Sequence, residues 1–466
     1  METQESLVFT VIRRSPELIT PAKPTPHEYK LLSDIDDQES LRFHVSVIQI
    51  YRKKNDFGNV LKMDPVKVIR NAISKTLVFY YPFAGRLREG AGRKLGVECT
   101  GEGVLFIEAD ADVTVDQFGG ILQPPFPCLD QLLFHVPGSA GVVNCPLLLI
   151  QVTRLKCGGF ICALRFHHAM SDTVGFVQFM KALAEIARGA SAPSVLPVWR
   201  RELLNARDPP RITCTHHEYD NAADMKGIII PLQDMVHRSF FFTRTDIRAL
   251  RRLVPPHLRT CSTFEVLTAF LWRSRTRCLQ LYSEEEVRML CIADARTIIN
   301  PPLPEGYYGN AFAYRVALST AGKLCENPIG YALELVKKAK EDVTEEYMKS
   351  LADLMVLRER PHFGVAGTYL VADVTRIGLG EIDFGWGKPA YGGPARGGMG
   401  VIPEVAGMAS FYIPSRNKKG EQGIVVPICL PAFAVENFAK ELDGMLKNNI
   451  DLLVHDSTSV YIKSAL

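Results

Sequence analysis

Several common signatures are missing from this chain of 466 residues, and each gap removes a class of function. No CxxC pair occurs among the 11 cysteines, which are scattered singly between Cys99 and Cys429, and their number is odd. That pattern fits neither a disulfide framework nor a zinc ribbon; it fits reduced thiols in a cytosolic protein. Neither sign of charge dominates. The 54 Lys and Arg residues stand against 51 Asp and Glu, a net +3. A broad nucleic-acid face needs a basic excess, so nucleic acid is not the expected partner. Long apolar runs are also missing: stretches such as Pro146–Val152 fall far short of the roughly 20 residues that span a bilayer. The opening METQESLVFTVIRRSPEL is acidic where a secretory leader has a basic lead and an apolar run. Ser464-Ala465-Leu466 only half matches a peroxisomal address, because Ala465 sits where a basic residue belongs. The expected location is the cytoplasm, with no membrane attachment.

Phosphate loops are absent too. There is no GxxxxGK[ST], and no GxGxxG opens a helix after a strand. The Gly-rich stretch Gly392–Gly400 lacks the lysine and the following helical pattern. The serine-hydrolase elbow GxSxG does not occur.

What remains is an ordinary globular composition, 47% hydrophobic and 23% charged. At about 150 residues per domain the length suggests roughly three domains, or two large ones. A chain this long buries about three quarters of its unfolded surface, so it needs no metal or disulfide to fold. Apolar runs predict strands at Leu7–Ile12, Phe43–Tyr51, Leu147–Leu155 and Phe160–His167, the last two joined by a Lys156–Gly159 hairpin loop. Asp64-Pro65 reads as a helix start, with Val66, Ile69, Ile73 and Leu77 on its buried face and a stop near Tyr81-Pro82. A second helix is expected over Gly175–Arg188. A Pro-, Ser- and Arg-rich stretch, Ala190–Pro210, reads as a linker whose Trp199 and Leu203-Leu204 pack on the domains. Beyond it the spacing predicts a strand at Val236–Phe242, helices at Thr245–Leu253 and Thr263–Leu279, a strand at Val287–Ala293, and a helix over Ile329–Val356 with a break. The expected class is α/β or mixed α+β, in two domains of similar size.

The sharpest local signal is Phe166-His167-His168-Ala169-Met170-Ser171-Asp172. Strand neighbours point to opposite faces, so His167 and His168 cannot both serve one site. A neutral histidine at a strand end can take a proton near neutral pH, with Asp172 folded back near it. The plainer reading is a satisfied strand-end histidine with Asp172 capping the next helix. Zinc is not expected, since His216-His217-Glu218 beside the linker is the nearest other cluster. A second signal is Asp383-Phe384-Gly385-Trp386-Gly387, either a ligand-facing loop held by Asp383 or a turn whose Trp386 fills the core. A third is Asp294-Ala295-Arg296. Ser262-Thr263 at a helix start could offer hydroxyls and backbone N–H groups to phosphate, or simply cap the helix. Arg251, Arg252 and Arg259 could supply charge at that end.

HHAMSD and, about 215 residues further on, DFGWG together resemble the paired signatures of the plant BAHD acyltransferases. The resemblance runs the length of the chain, through Tyr81–Leu87 (YPFAGRL), Ser262-Thr263-Phe264 and Gly306–Asn310 (GYYGN). Leu32–Leu41, Leu147–Phe160, Pro197–Pro210 and His216–Tyr219 look most like the alcohol acyltransferases of the benzyl alcohol benzoyltransferase, methanol anthraniloyltransferase and fruit-ester group. The departures are Thr173-Val174, where many members carry Gly or Ala, and His167, where close relatives often carry Asn. They bear on the acceptor, not on His168 or Asp172.

The resemblance implies two chloramphenicol-acetyltransferase-like domains with a channel between them: 1–195 carrying HHAMSD, a crossover linker over 196–225, and 226–466 carrying DFGWG. A segment near 383–405 would complete the first domain's sheet. It implies an acyl-CoA-dependent O-acyltransferase that makes esters of small alcohols by direct transfer, as a monomer, with acyl-CoA as co-substrate and no metal or bound cofactor. His168 would be the base. Asp172 would orient the imidazole or, as the resemblance favours, pair with Arg296. Asp383 would support the site and compete for that arginine. Donors around Trp386 would face the oxyanion, and Ser262, Thr263, Arg296 and Trp386 would meet the CoA ester. An amine or larger phenolic acceptor, or an inert ligand-binding relative, would be the alternatives. Cys162 and Ser171 raise the rival of a covalent acyl-enzyme.

Overall fold

The structure, a computed structural model, describes residues 7–53, 64–220, 234–340, 343–396, 407–417 and 419–446. The first half supplies strands β1 (Val11–Arg13), β2 (Glu17–Ile19), β3 (Tyr29–Leu31), β4 (His44–Tyr51), β5 (Arg86–Glu89), β6 (Leu95–Glu98), β7 (Val104–Ala111), β8 (Leu148–Leu155) and β9 (Phe160–His167), with helices α1 (Pro65–Phe79), α2 (Leu129–Leu132) and α3 (Thr173–Ala187). The second half adds β10 (Met235–Thr243), β11 (Glu286–Asp294), β12 (Phe312–Thr320), β13 (Thr368–Asp373), β14 (Tyr391–Pro394), β15 (Ala409–Arg416) and β16 (Gln422–Pro431). Its helices include α4 (Arg244–Arg252), α5 (Thr263–Leu279), α6 (Ala321–Glu326), α7 (Ile329–Ala339) and α8 (Glu345–Leu357), and 432–446 is helical as well.

Local chemistry sets the helix starts. Asp64 accepts from Val66 N at 3.2 Å and Pro65 takes the first position of α1, where its missing N–H has no partner to lose. Val66, Ile69, Ile73 and Leu77 are all buried at three- and four-residue steps. Phe176, Phe179, Leu183 and Ile186 do the same for α3, which packs against α1.

Among the described residues the strands form two large mixed sheets and one small one. The first runs β1-β7-β8-β9-β4-β14, with β2 also on β7. The second runs β10-β16-β15-β13-β11-β12, and β3-β6-β5 make the third. β14 comes from late in the chain yet pairs antiparallel with β4, Tyr391 opposite Ile50 and Pro394 opposite Val47. α1 and α3 share a buried core with β4, β8 and β9; α5 and α7 share another with β11, β13 and β16. On the remaining faces, Ile48, Ile50, Ile161 and Ala163 of the first sheet belong to one cluster with Ile413 and Val425 of the second. The stretch after α3 lies packed on both halves: Trp199 meets Tyr308 edge-on at 6.0 Å, and Leu204 and Tyr219 are buried. Residues 221–225 at its end lie outside the described residues, as do 397–405 after β14.

One expectation changes. The strand expected over Leu7–Ile12 is confined to Val11–Arg13, because only these residues reach the edge of β7, opposite Ala111 to Ala109. Within Ile329–Val356 the expected break is wide enough to leave two separate helices, α7 and α8. α8 has its own cap, with Thr344 accepting from Tyr347 N at 3.2 Å, and residues 341–342 between the helices lie outside the described set.

Candidate active site

β9 delivers two histidines to its end, and the backbone separates them. His167 closes the strand, 1% exposed, its Nδ1 accepting from Ala169 N at 3.3 Å and its ring 5.0 Å from that of His44. Burial, with His44 beside it, keeps its pKa well below the ordinary imidazole value. His168 opens the single 3₁₀ turn that follows and lines a cavity of about 1810 Å³ between the two halves of the molecule. The rings of Phe43 and Phe312 flank it, centroids at 5.4 and 6.0 Å.

Two acceptors meet Nδ1 of that ring, the residue's own backbone carbonyl and Asn310. His168 Nδ1 lies 3.1 Å from Asn310 Oδ1. Asn310 Nδ2 donates to His168 O at 2.8 Å and to Asp36 Oδ1 at 2.9 Å. An amide with both N–H groups so engaged can offer only its oxygen to the ring. Nδ1 therefore carries the proton and Nε2 keeps the lone pair. Burial lowers the pKa of His168, outweighing the opposite pull of its own backbone carbonyl, Asp172, Asn310 and Asp36, so the ring is a neutral acceptor near neutral pH.

Asp172 does not orient the ring. Its Oδ1 caps α3 through Gly175 N at 2.9 Å and meets Arg296 Nη2 at 2.8 Å, and its Oδ2 accepts from Ala311 N at 3.0 Å. The carboxylate is thus a clasp between α3 of one half and the β11–β12 connection of the other. Arg296 also donates to Asp294 at 3.1 Å and to Gly309 O at 2.9 Å, and it lines the cavity together with Asp172.

The DFGWG loop lies between residues that line the cavity, Gly380 and Glu381 before it and Lys388 and Pro389 after it. Asp383 and Trp386 are not among the residues that line the cavity. Asp383 accepts from Gly385 N at 2.7 Å and Gly387 N at 2.8 Å, while its backbone oxygen takes a hydrogen bond from Arg188. It makes no claim on Arg296. The two glycines sit at φ 110° and 86°, where L residues are strained, and so close the turn around that carboxylate. Trp386 lies edge-on to Phe160 at 5.3 Å, against the first core.

Ser262 and Thr263 do line the cavity. Ser262 caps α5, its hydroxyl accepting from Glu265 N at 3.3 Å and its N–H donating to Glu265 at 2.7 Å. Lys340 pairs with the same Glu265. Arg244, Arg248, Arg251 and Arg315 also line the cavity, making it strongly cationic, and Arg252 and Arg259 flank a smaller hollow with Arg248 and Arg251.

The covalent rival has no accessible nucleophile among its two candidates. Cys162 is fully buried within β9 and burial pushes its thiol up to about 12; Ser171 is fully buried and donates to Asp172 O at 3.0 Å. His216 pairs with Glu218 and Ser350, at 3.3 and 3.0 Å, and His217 with Asp220. Sequence reasoning missed Asn310, Asp36 and the flanking phenylalanines as site residues; Asn310 was in view as the end of GYYGN, without a role.

Two packed mixed α/β halves with a histidine facing the cavity between them define a two-domain acyltransferase of the chloramphenicol-acetyltransferase type. The chain superposes on vinorine synthase with a TM-score of 0.71 at 22% identity, covering 94% of this chain and 98% of that one. On an F. graminearum TRI101 complexed with coenzyme A and deoxynivalenol the TM-score is 0.62 at 15% identity, covering 88% and 96%. The family model described as Transferase family matches residues 9–445, and the chain belongs to that family, the BAHD acyltransferases. It is 68% identical to a benzyl alcohol O-benzoyltransferase of Nicotiana tabacum over the full length of both, and 69% identical to one of Petunia hybrida over 97% of each. It is 52% identical to alcohol acyl transferase 1, allele GSa, of Malus domestica over 98% of this chain and 99% of that one.

Proposed function

We propose that the chain is an acyl-CoA-dependent alcohol O-acyltransferase in which His168 Nε2 removes the alcohol proton during direct transfer. The alcohol oxygen attacks the thioester carbonyl as its proton passes to Nε2. Collapse of the tetrahedral intermediate breaks the C–S bond, and the imidazolium returns the proton to the departing CoA thiolate. A neutral alcohol is a weak nucleophile, so a positioned base is worth about 10²–10⁴-fold. The observation that carries this reading is the division of labour on one ring: Nδ1 is spent on Asn310, and the ring lines the cavity with Nε2 as its remaining acceptor. The cationic lining near Ser262, Thr263 and the start of α5 suits the phosphates of CoA. Asp172, Arg296, Asp383 and Trp386 act as architecture. Benzyl alcohol and benzoyl-CoA are the first pair to supply, since benzyl alcohol O-benzoyltransferases are so similar to the chain.

The test is to incubate the purified chain with benzoyl-CoA or acetyl-CoA and a set of alcohols, following thiol release and ester formation. His168→Ala should lose at least a hundredfold in kcat with an unchanged melting temperature. Wild-type turnover by that variant refutes the assignment of the base. Thiol release no faster than the buffer blank by the intact chain favours an inert binding relative.

A further inference from the structure

Asn310 holds the imidazole, and something must hold Asn310. That group is a carboxylate from near the start of the chain. Asp36 is fully buried, and its Oδ1 accepts three N–H groups: Asn310 N at 2.8 Å, Asn310 Nδ2 at 2.9 Å and Arg201 Nη1 at 2.7 Å. Its Oδ2 accepts from Ser33 N at 3.1 Å and Ser33 Oγ at 2.6 Å. Arg201, 1% exposed, comes from the stretch that joins the two halves. Its Nη2 donates to Met170 O at 2.8 Å, in the 3₁₀ turn that His168 opens. Its guanidinium lies 4.5 Å from the ring centroid of Trp199 and 5.0 Å from that of Tyr308. Gly309 makes room for it: a Cβ there would lie 1.9 Å from Arg201 Nη1. Neither Asp36 nor Arg201 lines the cavity, so neither is placed to touch substrate.

We infer that Asp36, with Arg201 as its counter-ion, is a positioning residue that locks the Asn310 amide in the one orientation able to accept His168 Nδ1–H. This rests on the reading of His168 as the base. The amide has two ways to lie. As found, it donates to two acceptors and accepts from the ring. Flipped, its oxygen would oppose the Asp36 carboxylate and His168 O at 2.8–2.9 Å, and its N–H would meet Nδ1. That N–H would oppose the Nδ1–H held by the residue's own carbonyl, and would disfavour the tautomer that leaves Nε2 free as the base. The Asp36 charge is the larger of the two obstacles to that flip. Stability alone does not account for the pair, because a buried ion pair seldom stabilises more than well-packed apolar residues of the same volume. Its three parts come from the first half, the joining stretch and the second half, so the ring is aligned only when all three are docked.

The experiment measures steady-state kinetics and melting of Asp36→Asn, Asn310→Ala and the pair combined. In Asp36→Asn, kcat should fall at least tenfold while KM for acyl-CoA stays within twofold. In the Asn310→Ala background the same change should lower kcat by less than a further twofold, because the group it acts through is already gone. A folded Asp36→Asn with wild-type kcat overturns the inference. So do losses that multiply independently, or a loss expressed in KM. If Asp36→Asn does not fold, the charge-balanced Asp36→Asn/Arg201→Met variant is read by the same criteria, and failure of both to fold also overturns the inference in favour of plain architecture. His168→Ala separates the two levels. If it keeps turnover, the base assignment fails; if it is inactive while Asp36→Asn is normal, only the positioning role fails.

Discussion

Asp172→Asn separates an architectural carboxylate from a catalytic one. The substitution keeps the side-chain shape, and asparagine caps helices about as well as aspartate, so the bond to Gly175 N survives. What disappears is the charge facing Arg296 and one good acceptor for either Arg296 or Ala311 N. The pair is well buried, with side-chain exposures of 15% and 8%. Breaking a buried pair costs about 3–5 kcal/mol. Arg296 keeps Asp294 at 3.1 Å, but that carboxylate is half in water and compensates only partly, so the lower end applies, about 3 kcal/mol. Against a net stability of about 5–15 kcal/mol this is a large fraction. At about 2.1 cal/mol/K of unfolding entropy per residue, 466 residues give roughly 1 °C per kcal/mol, so it lowers the melting temperature by about 3 °C. Below the melt, kcat per folded molecule should stay within about fivefold of wild type, because no bond from Asp172 reaches the imidazole. The measurements are thermal unfolding and kcat corrected for folded fraction. If the carboxylate instead held the ring as in a serine-protease triad, Asn would leave the fold intact and lower kcat by about 10⁴. An unchanged melting temperature with a loss of that size refutes the clasp.

The acid limb of kcat/KM should fall below about pH 6.5, because burial holds His168 below its ordinary value and activity requires the neutral ring; a limb above pH 7 contradicts this. Stability should fall over a related range: burial pushes His44 down to about 4, so the unfolded chain binds a proton the folded chain refuses. The contribution is complete above about pH 6.5 and declines toward pH 4 at about 1.4 kcal/mol per unit for one such group, which a melt at each pH reads directly. Trp386→Ala should destabilise the fold by less than the about 3–5 kcal/mol of a fully buried tryptophan, and leave KM for acyl-CoA unchanged. A tenfold rise in that KM would return the DFGWG loop to the site.

The elements legible in the sequence were those whose determinants are local. α5 begins at Thr263 and ends at Leu279, and β9 spans Phe160–His167, as periodicity and capping residues require. β15 and β16 were not legible. Each carries a proline, Pro414 and Pro427, inside an otherwise apolar run, and proline ordinarily argues against a sheet-interior strand. β14 was in view only through the family resemblance, which put a segment near 383–405 on the first sheet: Gly392-Gly393-Pro394 itself has poor strand propensity, and its ladder is with the edge of β4.

The site divides along the same line. In HHAMSD the aspartate's cap reaches only from Asp172 to Gly175, so that role could be read as a local rule. The groups that make His168 a base could not. Asp34, Asp36 and Asp37 look in sequence like an acidic surface turn, yet all are buried, paired respectively with Lys94, Arg201 and the two arginines Arg42 and Arg360. The bonds that set the tautomer join residues 142 and 274 positions apart. No periodicity encodes such a separation; it exists only after two sheets and the stretch between them have packed. The motif histidine is therefore an ordinary imidazole until the fold is complete, and the orientation that leaves Nε2 free for its proposed role belongs to the docked assembly of three distant segments. The motif aspartate, conspicuous beside it, serves to hold that assembly together.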